Sequence, residues 1–192
     1  MKLVESLLFK NPCYTEGRTI EVRGLMLHSV GGPVQSAEKY IVTWNDESFD
    51  RACVHAFIDG YDGTIYQTLP WNHRGWHAGG QANNTHIGIE MCEYSGLNYD
   101  GSAVFTCDNP EEAAVVAKRT YEAAVELFAI LAIEFHLDPL EKGVIISHSE
   151  GHALGVASGH KDPEHLWTQL NLDYTMDRFR EDVKNMMTLM LQ

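Results

Sequence analysis

Ten histidines stand in this chain of 192 residues, and the placing of two of them points to metal chemistry. His28 closes the apolar run Gly24-Leu25-Met26-Leu27, and His148 closes Val144-Ile145-Ile146-Ser147. Runs of this kind read as buried strands, and the ends of neighbouring strands are where side chains distant in sequence can meet. A catalytic zinc site needs about three protein donors and a further position open to water. Two strand-end histidines supply part of such a set. The segment after His148 offers His152, His160, Asp162 and His165 to complete it, and spacing alone does not choose among them.

Helical zinc signatures fit less well. His148-Ser149-Glu150-Gly151-His152 carries its glutamate one place too late for HExxH, and HxxEH would need it at position 151. Gly151 and Gly155 also argue against a helix there. His148 with His152 is therefore the poorer metal pair. Any single histidine, taken alone, is more readily a hydrogen-bonded structural residue than a ligand. The four cysteines, Cys13, Cys53, Cys92 and Cys107, form no CxxC pair, so they read as reduced buried thiols.

The elements that must position these residues follow from pattern. Strands are expected at Thr19–Arg23 and Gly24–His28, the latter ending in Gly31-Gly32-Pro33. Ser36 suits the N-cap of a helix running to about Asn45. Cys53–Asp59 and Thr64–Leu69 read as strands joined through Tyr61-Asp62-Gly63, and His86–Cys92 as a buried strand. From Asn109 the period changes. Pro110 suits a first helical turn, Glu111 and Glu112 favour the positive helix end, and Tyr121, Ala124, Val125, Phe128, Leu131, Ala132 and Phe135 make one apolar face. Gly143–Ser147 is a short strand. A last helix is expected over about 175–191, with Phe179, Val183, Met186, Met187 and Met190 on its apolar side. The fold class is α/β: a central mixed sheet flanked by helices. No repeat or linker divides the chain, so residues 1–192 read as a single domain.

Composition narrows the partners. Fourteen basic against 27 acidic residues give a formal charge of −13, which argues against nucleic acid. The same charge gives no general attraction to an anionic wall or membrane. No stretch approaches the roughly 18 apolar residues of a membrane span. Glu5 interrupts the apolar start and no small-residue cleavage site follows, so the N-terminus reads as mature structure rather than a signal peptide.

Four blocks then carry a family resemblance: LMLHSVGG around His28, VHAFIDGYDGTIYQTLPWNHRGWHAGG from Val54, NNTHIGIEMCE from Asn83, and ISHSEGHALGVASGHKDP from Ile146. In this order they resemble the zinc-dependent type-2 N-acetylmuramoyl-L-alanine amidases, relatives of the peptidoglycan recognition proteins, over residues of about 24–170. The last block is similar to clostridial and clostridial-phage endolysins and autolysins.

The resemblance implies a zinc ion and cleavage between muramic acid and L-alanine in peptidoglycan. Its ligands fall on His28, His148 and Asp162, and its acidic catalytic residue on Glu90. A lysine usual two places before the third ligand is replaced by His160, with Lys161 beside it. A histidine can donate to an oxyanion but is charged only when protonated, so activity resting on that charge should weaken as pH rises. Some members carry a catalytic tyrosine where this chain has Val54, which shifts weight onto Glu90. Trp76, His77, Asn83 and Asn84 fall in substrate-groove segments. Each has a plainer reading: an aromatic or imidazole packed beside a loop, or an amide capping the next strand. His55 reads as structural or as support for the site. A non-catalytic peptidoglycan-binding module and a cytosolic amidase recycling anhydro-muropeptides are the alternatives. Targeting to a wall would come from a groove or from a separate binding module.

Overall fold

The computed structural model describes residues 1–192. In chain order the elements are β1 (Leu3–Glu5), α1 (Pro12–Glu16), β2 (Gly24–Ser29), α2 (Ala37–Trp44), β3 (Ala56–Ile58) and β4 (Ile65–Gln67). A 3-10 turn (Gln81–Asn84) then leads into β5 (His86–Met91), β6 (Leu97–Tyr99), β7 (Phe105–Cys107) and the long α3 (Pro110–Glu134). The chain closes with β8 (Ile145–Ser147), α4 (His148–Ala153), α5 (Glu164–Gln169) and α6 (Met176–Met190).

Six strands form the central sheet in the order β1-β4-β3-β5-β2-β8, and β6 and β7 make a separate hairpin. Only β3 and β4 run antiparallel within the main sheet; the other pairs are parallel, so the sheet is mixed as expected. Every residue of β2 is buried, because one face lies under the large core cluster and the other under α4, the 3-10 turn and the loops around Ala78 and Val156. The largest core cluster lies on one face, where Leu25, Leu27, Ile87 and Ile89 meet Phe128, Leu131, Trp167 and Phe179. The opposite face packs Phe57 against Tyr40 and Trp44 of α2.

α3 begins where its sequence signals place it. Asn109 accepts a hydrogen bond from the Glu112 N–H at 3.2 Å, and Pro110 takes the first turn, where its missing donor costs nothing. α6 starts after Thr175, which caps the Arg178 N–H at 3.1 Å. Phe179 and Val183 are buried and Met186 and Met187 pack against the core, whereas Met190 is 41% exposed and drops out of the apolar stripe.

Two expectations fail for local reasons. Thr19–Arg23 is not a strand: Thr19 makes one isolated bridge to His73, and pairing begins at Gly24. A helix does form at 148–153 despite Gly151. Ser147 accepts from the Glu150 N–H at 3.0 Å while the Glu150 carboxylate accepts from the Ser147 N–H at 3.1 Å, a reciprocal cap. Arg180 of α6 reinforces it, donating to Glu150 at 2.9 Å and to the Ile145 carbonyl at 3.0 Å. Gly151 itself sits against Met26, where a Cβ would crowd the methionine methyl. His148 is therefore the first residue of a helix as well as the residue after a strand.

Candidate metal centre

β2, β5 and β8 are neighbours and parallel, so their C-terminal ends lie along one sheet edge. The register sets His28 directly beside Glu90 and Leu27 beside Ser147, which puts His148 one residue beyond. Asp162 arrives from the segment before α5, anchored by the Ser149 N–H donating to its backbone carbonyl at 3.2 Å. His28, His148 and Asp162 are all buried, and their donor atoms form one close group. His28 Nδ1 lies 3.0 Å from His148 Nδ1 and 3.2 Å from Asp162 Oδ2, and His148 Nδ1 is 3.7 Å from Asp162 Oδ1.

These separations suit a tetrahedral cation. Bonds of about 2.0–2.1 Å would hold donors roughly 3.3 Å apart, the middle of the observed range. Three lone-pair donors this close repel one another unless something positive lies among them. The same crowding shifts the titration of all three groups. Burial alone would lower the His28 pKa, but the hydrogen bond to Asp162 and the charges of Glu90 and Asp162 raise it. Burial would raise Asp162, yet its hydrogen bond to His28 and the charges of both histidines hold it below the usual carboxylate value. Burial and the neighbouring His28 push His148 down to about 4, leaving it neutral. The donors present fit a divalent metal of zinc's preferences.

The cluster floors a cleft of about 480 Å³, walled by Trp44, Arg51, Val54, Trp76, Glu90 and His160 among others. Glu90 Oε2 is buried without a hydrogen-bond partner. Burial lifts the Glu90 pKa to about 8, opposed by the nearby His28 and reinforced by Asp162 and Glu93. His160 stands on the exposed rim, its Nδ1 3.0 Å from Ser158 Oγ and 3.2 Å from His148 Nε2. On the far side of Asp162, buried Glu93 accepts from the Gly31 N–H at 3.0 Å and from the Tyr99 hydroxyl, which also contacts His165 Nε2 at 2.9 Å. That network ties the loop after His28 to α5.

The remaining singled-out residues divide. Trp76 and His77 line the cleft, but His77 is also hydrogen-bonded to His28. Asn83 is buried, and its Oδ1 accepts from the His77 and Ala78 N–H groups at 2.9 and 2.8 Å. Asn84 bonds Arg74 and Gln81 and stays outside the cleft lining. His55 is fully buried between β3 and β5, donating to the His73 carbonyl at 2.8 Å and accepting from the Gly88 N–H at 3.0 Å. His152 is exposed. All four cysteines are free thiols, three of them buried. Trp44, Arg51 and Ser158 enter the site without having been singled out. Ser158 lay inside a quoted block with nothing to mark it, and Trp44 and Arg51 come from a part of the chain with no local signal.

Residues 18–165 match the family described as N-acetylmuramoyl-L-alanine amidase. The N-acetylmuramoyl-L-alanine amidase XlyA of Bacillus subtilis (strain 168) is 54% identical over 50 residues, a stretch covering 24% of this chain and only 15% of that protein's length. The Staphylococcus aureus hydrolase AmiA, solved in complex with its ligand, superposes over 100% of this chain and 85% of its own with a TM-score of 0.75 at 18% identity. The catalytic domain of XlyA covers 95% of this chain and 99% of its own with a TM-score of 0.66 at 21% identity. At such identities the two structures establish the fold. No helix is long and apolar enough to cross a membrane.

Proposed function

The chain belongs to the N-acetylmuramoyl-L-alanine amidase family, and from that premise we propose that it hydrolyses the amide joining N-acetylmuramic acid to L-alanine in peptidoglycan, with zinc held by His28, His148 and Asp162. The observation that carries this reading is the convergence of two imidazole Nδ1 atoms and one carboxylate at the floor of a cleft, beside the unpartnered Glu90 oxygen. Zinc, when bound there, would draw the pKa of a water toward neutrality and polarise the scissile carbonyl.

The chain's own residues supply the rest. Glu90, whose Oε2 has no hydrogen-bond partner, takes the proton of the attacking water and returns it to the departing amine of L-alanine. His160, whose Nδ1 contacts Ser158 Oγ at 3.0 Å, stands on the cleft rim with an imidazole N–H to offer the oxyanion. Trp44 and Trp76 give the cleft apolar walls against which a sugar or peptide stem can lie. Residues 1–192 act as one catalytic domain. The charge of −13 leaves targeting to a separate wall-binding module. A complete donor set together with Glu90 favours hydrolysis over a purely binding role.

Purified cell walls incubated with the protein, with and without a chelator, test this. Free L-alanine amino groups should appear, without new reducing sugar ends, and stop appearing when metal is withdrawn. New reducing ends alone would overturn the amidase reading, and activity indifferent to chelation would overturn the zinc.

A further inference from the structure

The two ligand histidines present the same ring nitrogen, Nδ1, to Asp162, and the cause lies on the far side of each ring. His28 Nε2 is 2.9 Å from His77 Nδ1, and His77 Nε2 is 2.9 Å from the His86 carbonyl. A carbonyl only accepts, so His77 Nε2 carries the proton and its Nδ1 offers a lone pair. His28 Nε2 must then donate, so the nitrogen turned toward Asp162, Nδ1, is the one whose lone pair a metal would meet in place of the proton shared with the carboxylate. The rings of His28 and His77 meet edge-on at 82°, so the donated proton runs along the lone-pair direction rather than across a stack.

This relay is built into the sheet. His28 and His86 stand on the paired strands β2 and β5, and Asn83 grips the backbone that carries the His77 ring. Gly88 makes room for that ring, because a Cβ there would collide with three of its atoms. The glycine between Ile87 and Ile89 thus has a purpose that its strand does not supply.

The second ring is held similarly. His148 Nε2 lies 3.1 Å from Ser158 Oγ. That hydroxyl has two further neighbours able to take its proton, the Ala78 carbonyl at 3.2 Å and His160 Nδ1 at 3.0 Å. Its lone pair is therefore free to receive the His148 Nε2–H, and His148 Nδ1 is left as the donor atom. Ala78 follows His77 directly, so one short segment, 77–78, supports both ligand rings.

We propose that His77 and Ser158 are positioning residues that set the tautomer and the angle of the two metal-ligand histidines, and that His77 acts on His28 rather than on substrate. The proposal rests on the metal site argued above. Outer hydrogen bonds of this kind change metal affinity by roughly 10–100-fold when removed.

Zinc affinity of the full chain, measured by competition with a chromogenic chelator, tests it alongside the visible spectrum of the cobalt-substituted protein. His77→Leu should weaken zinc about 10–100-fold and perturb the cobalt spectrum, since it removes the acceptor for His28. His77→Asn, whose amide oxygen can accept near the same point, should stay close to the parent. Ser158→Ala should weaken zinc in the same range, and it carries the test should His77→Leu fail to fold. Parent-like zinc affinity in both His77→Leu and Ser158→Ala, with only KM raised on muropeptide, would overturn the proposal and return His77 to substrate binding. A parent protein that takes up no zinc would overturn the metal site itself, and this proposal with it, a result distinct from a site that binds equally well in every variant.

Discussion

Replacing Glu90 by glutamine should make the metal-free protein more stable and leave the zinc-loaded protein all but inactive. Burial places the Glu90 pKa at about 8, against 4.5 for an unperturbed group. The folded state therefore keeps a proton that the unfolded chain releases, and stability must fall as pH rises between those two values. One pKa unit is worth about 1.4 kcal/mol, so the full displacement sets a ceiling of roughly 5 kcal/mol on the cost of ionising the carboxylate in the fold. Water entering the cleft and the neighbouring His28 reduce this to about 1–3 kcal/mol. Glu93 and Glu164, both raised to about 7 by burial, are present in parent and variant alike, and the Glu93 charge enters the difference only through its contribution to the Glu90 displacement. Urea unfolding of chelated protein across the window from pH 4.5 to 8 should thus show the variant gaining about 1–3 kcal/mol at the alkaline end, with the two curves converging on acidification. Turnover of cell-wall substrate should fall about 10²–10⁴-fold in the same variant. Equal stability at the alkaline end would refute the claim that half-buried Glu90, with its unpartnered Oε2, is held as an acid in the fold. Turnover close to the parent's would remove it as the proton carrier.

His160→Ala should lower turnover by up to about 10²–10³-fold through loss of an oxyanion donor, with zinc affinity retained; a loss of zinc instead would make His160 a ligand or a support of His148, whose Nε2 it contacts at 3.2 Å. Ser147→Ala removes the α4 cap and the 2.6 Å hydrogen bond to Glu164, and should cost about 1–3 kcal/mol in urea unfolding. An unaffected midpoint would mean that α4 is held in place by tertiary packing alone. Phe179→Ala, at a fully buried position packed edge-on against Tyr121 and Phe128, should cost about 3–5 kcal/mol in one cooperative transition. A separate early transition would show that α6 folds apart from the rest.

Local patterns accounted for much of the frame. The apolar face from Tyr121 to Leu131, with Asn109 and Pro110 ahead of it, determined α3, because helix period and capping depend on residues within a few positions of one another. The apolar runs ending at His28 and His148 likewise marked the two strand ends, and the charge of −13 argued against a nucleic-acid surface. Resemblance to a family, rather than spacing, singled out Asp162 and Glu90.

Tertiary structure decided the remainder, since hydrogen-bond register and outer contacts join residues far apart in the chain. Only the β2–β5 register sets His28 beside Glu90, and only the neighbouring β8 brings His148 within 3.0 Å of His28. Pairing that starts at Gly24 leaves Thr19–Arg23 outside the sheet, and Arg180, 30 residues away, reinforces a helix that Gly151 should weaken. By resemblance His77 falls in a groove segment; in the fold it lines the cleft and also contacts His28, on a loop that Asn83 grips and against a strand where Gly88 leaves room for its ring. Which residues could bind a metal was therefore visible in their types. Which nitrogen each would offer, and toward what, was decided by contacts that no local stretch of sequence contains.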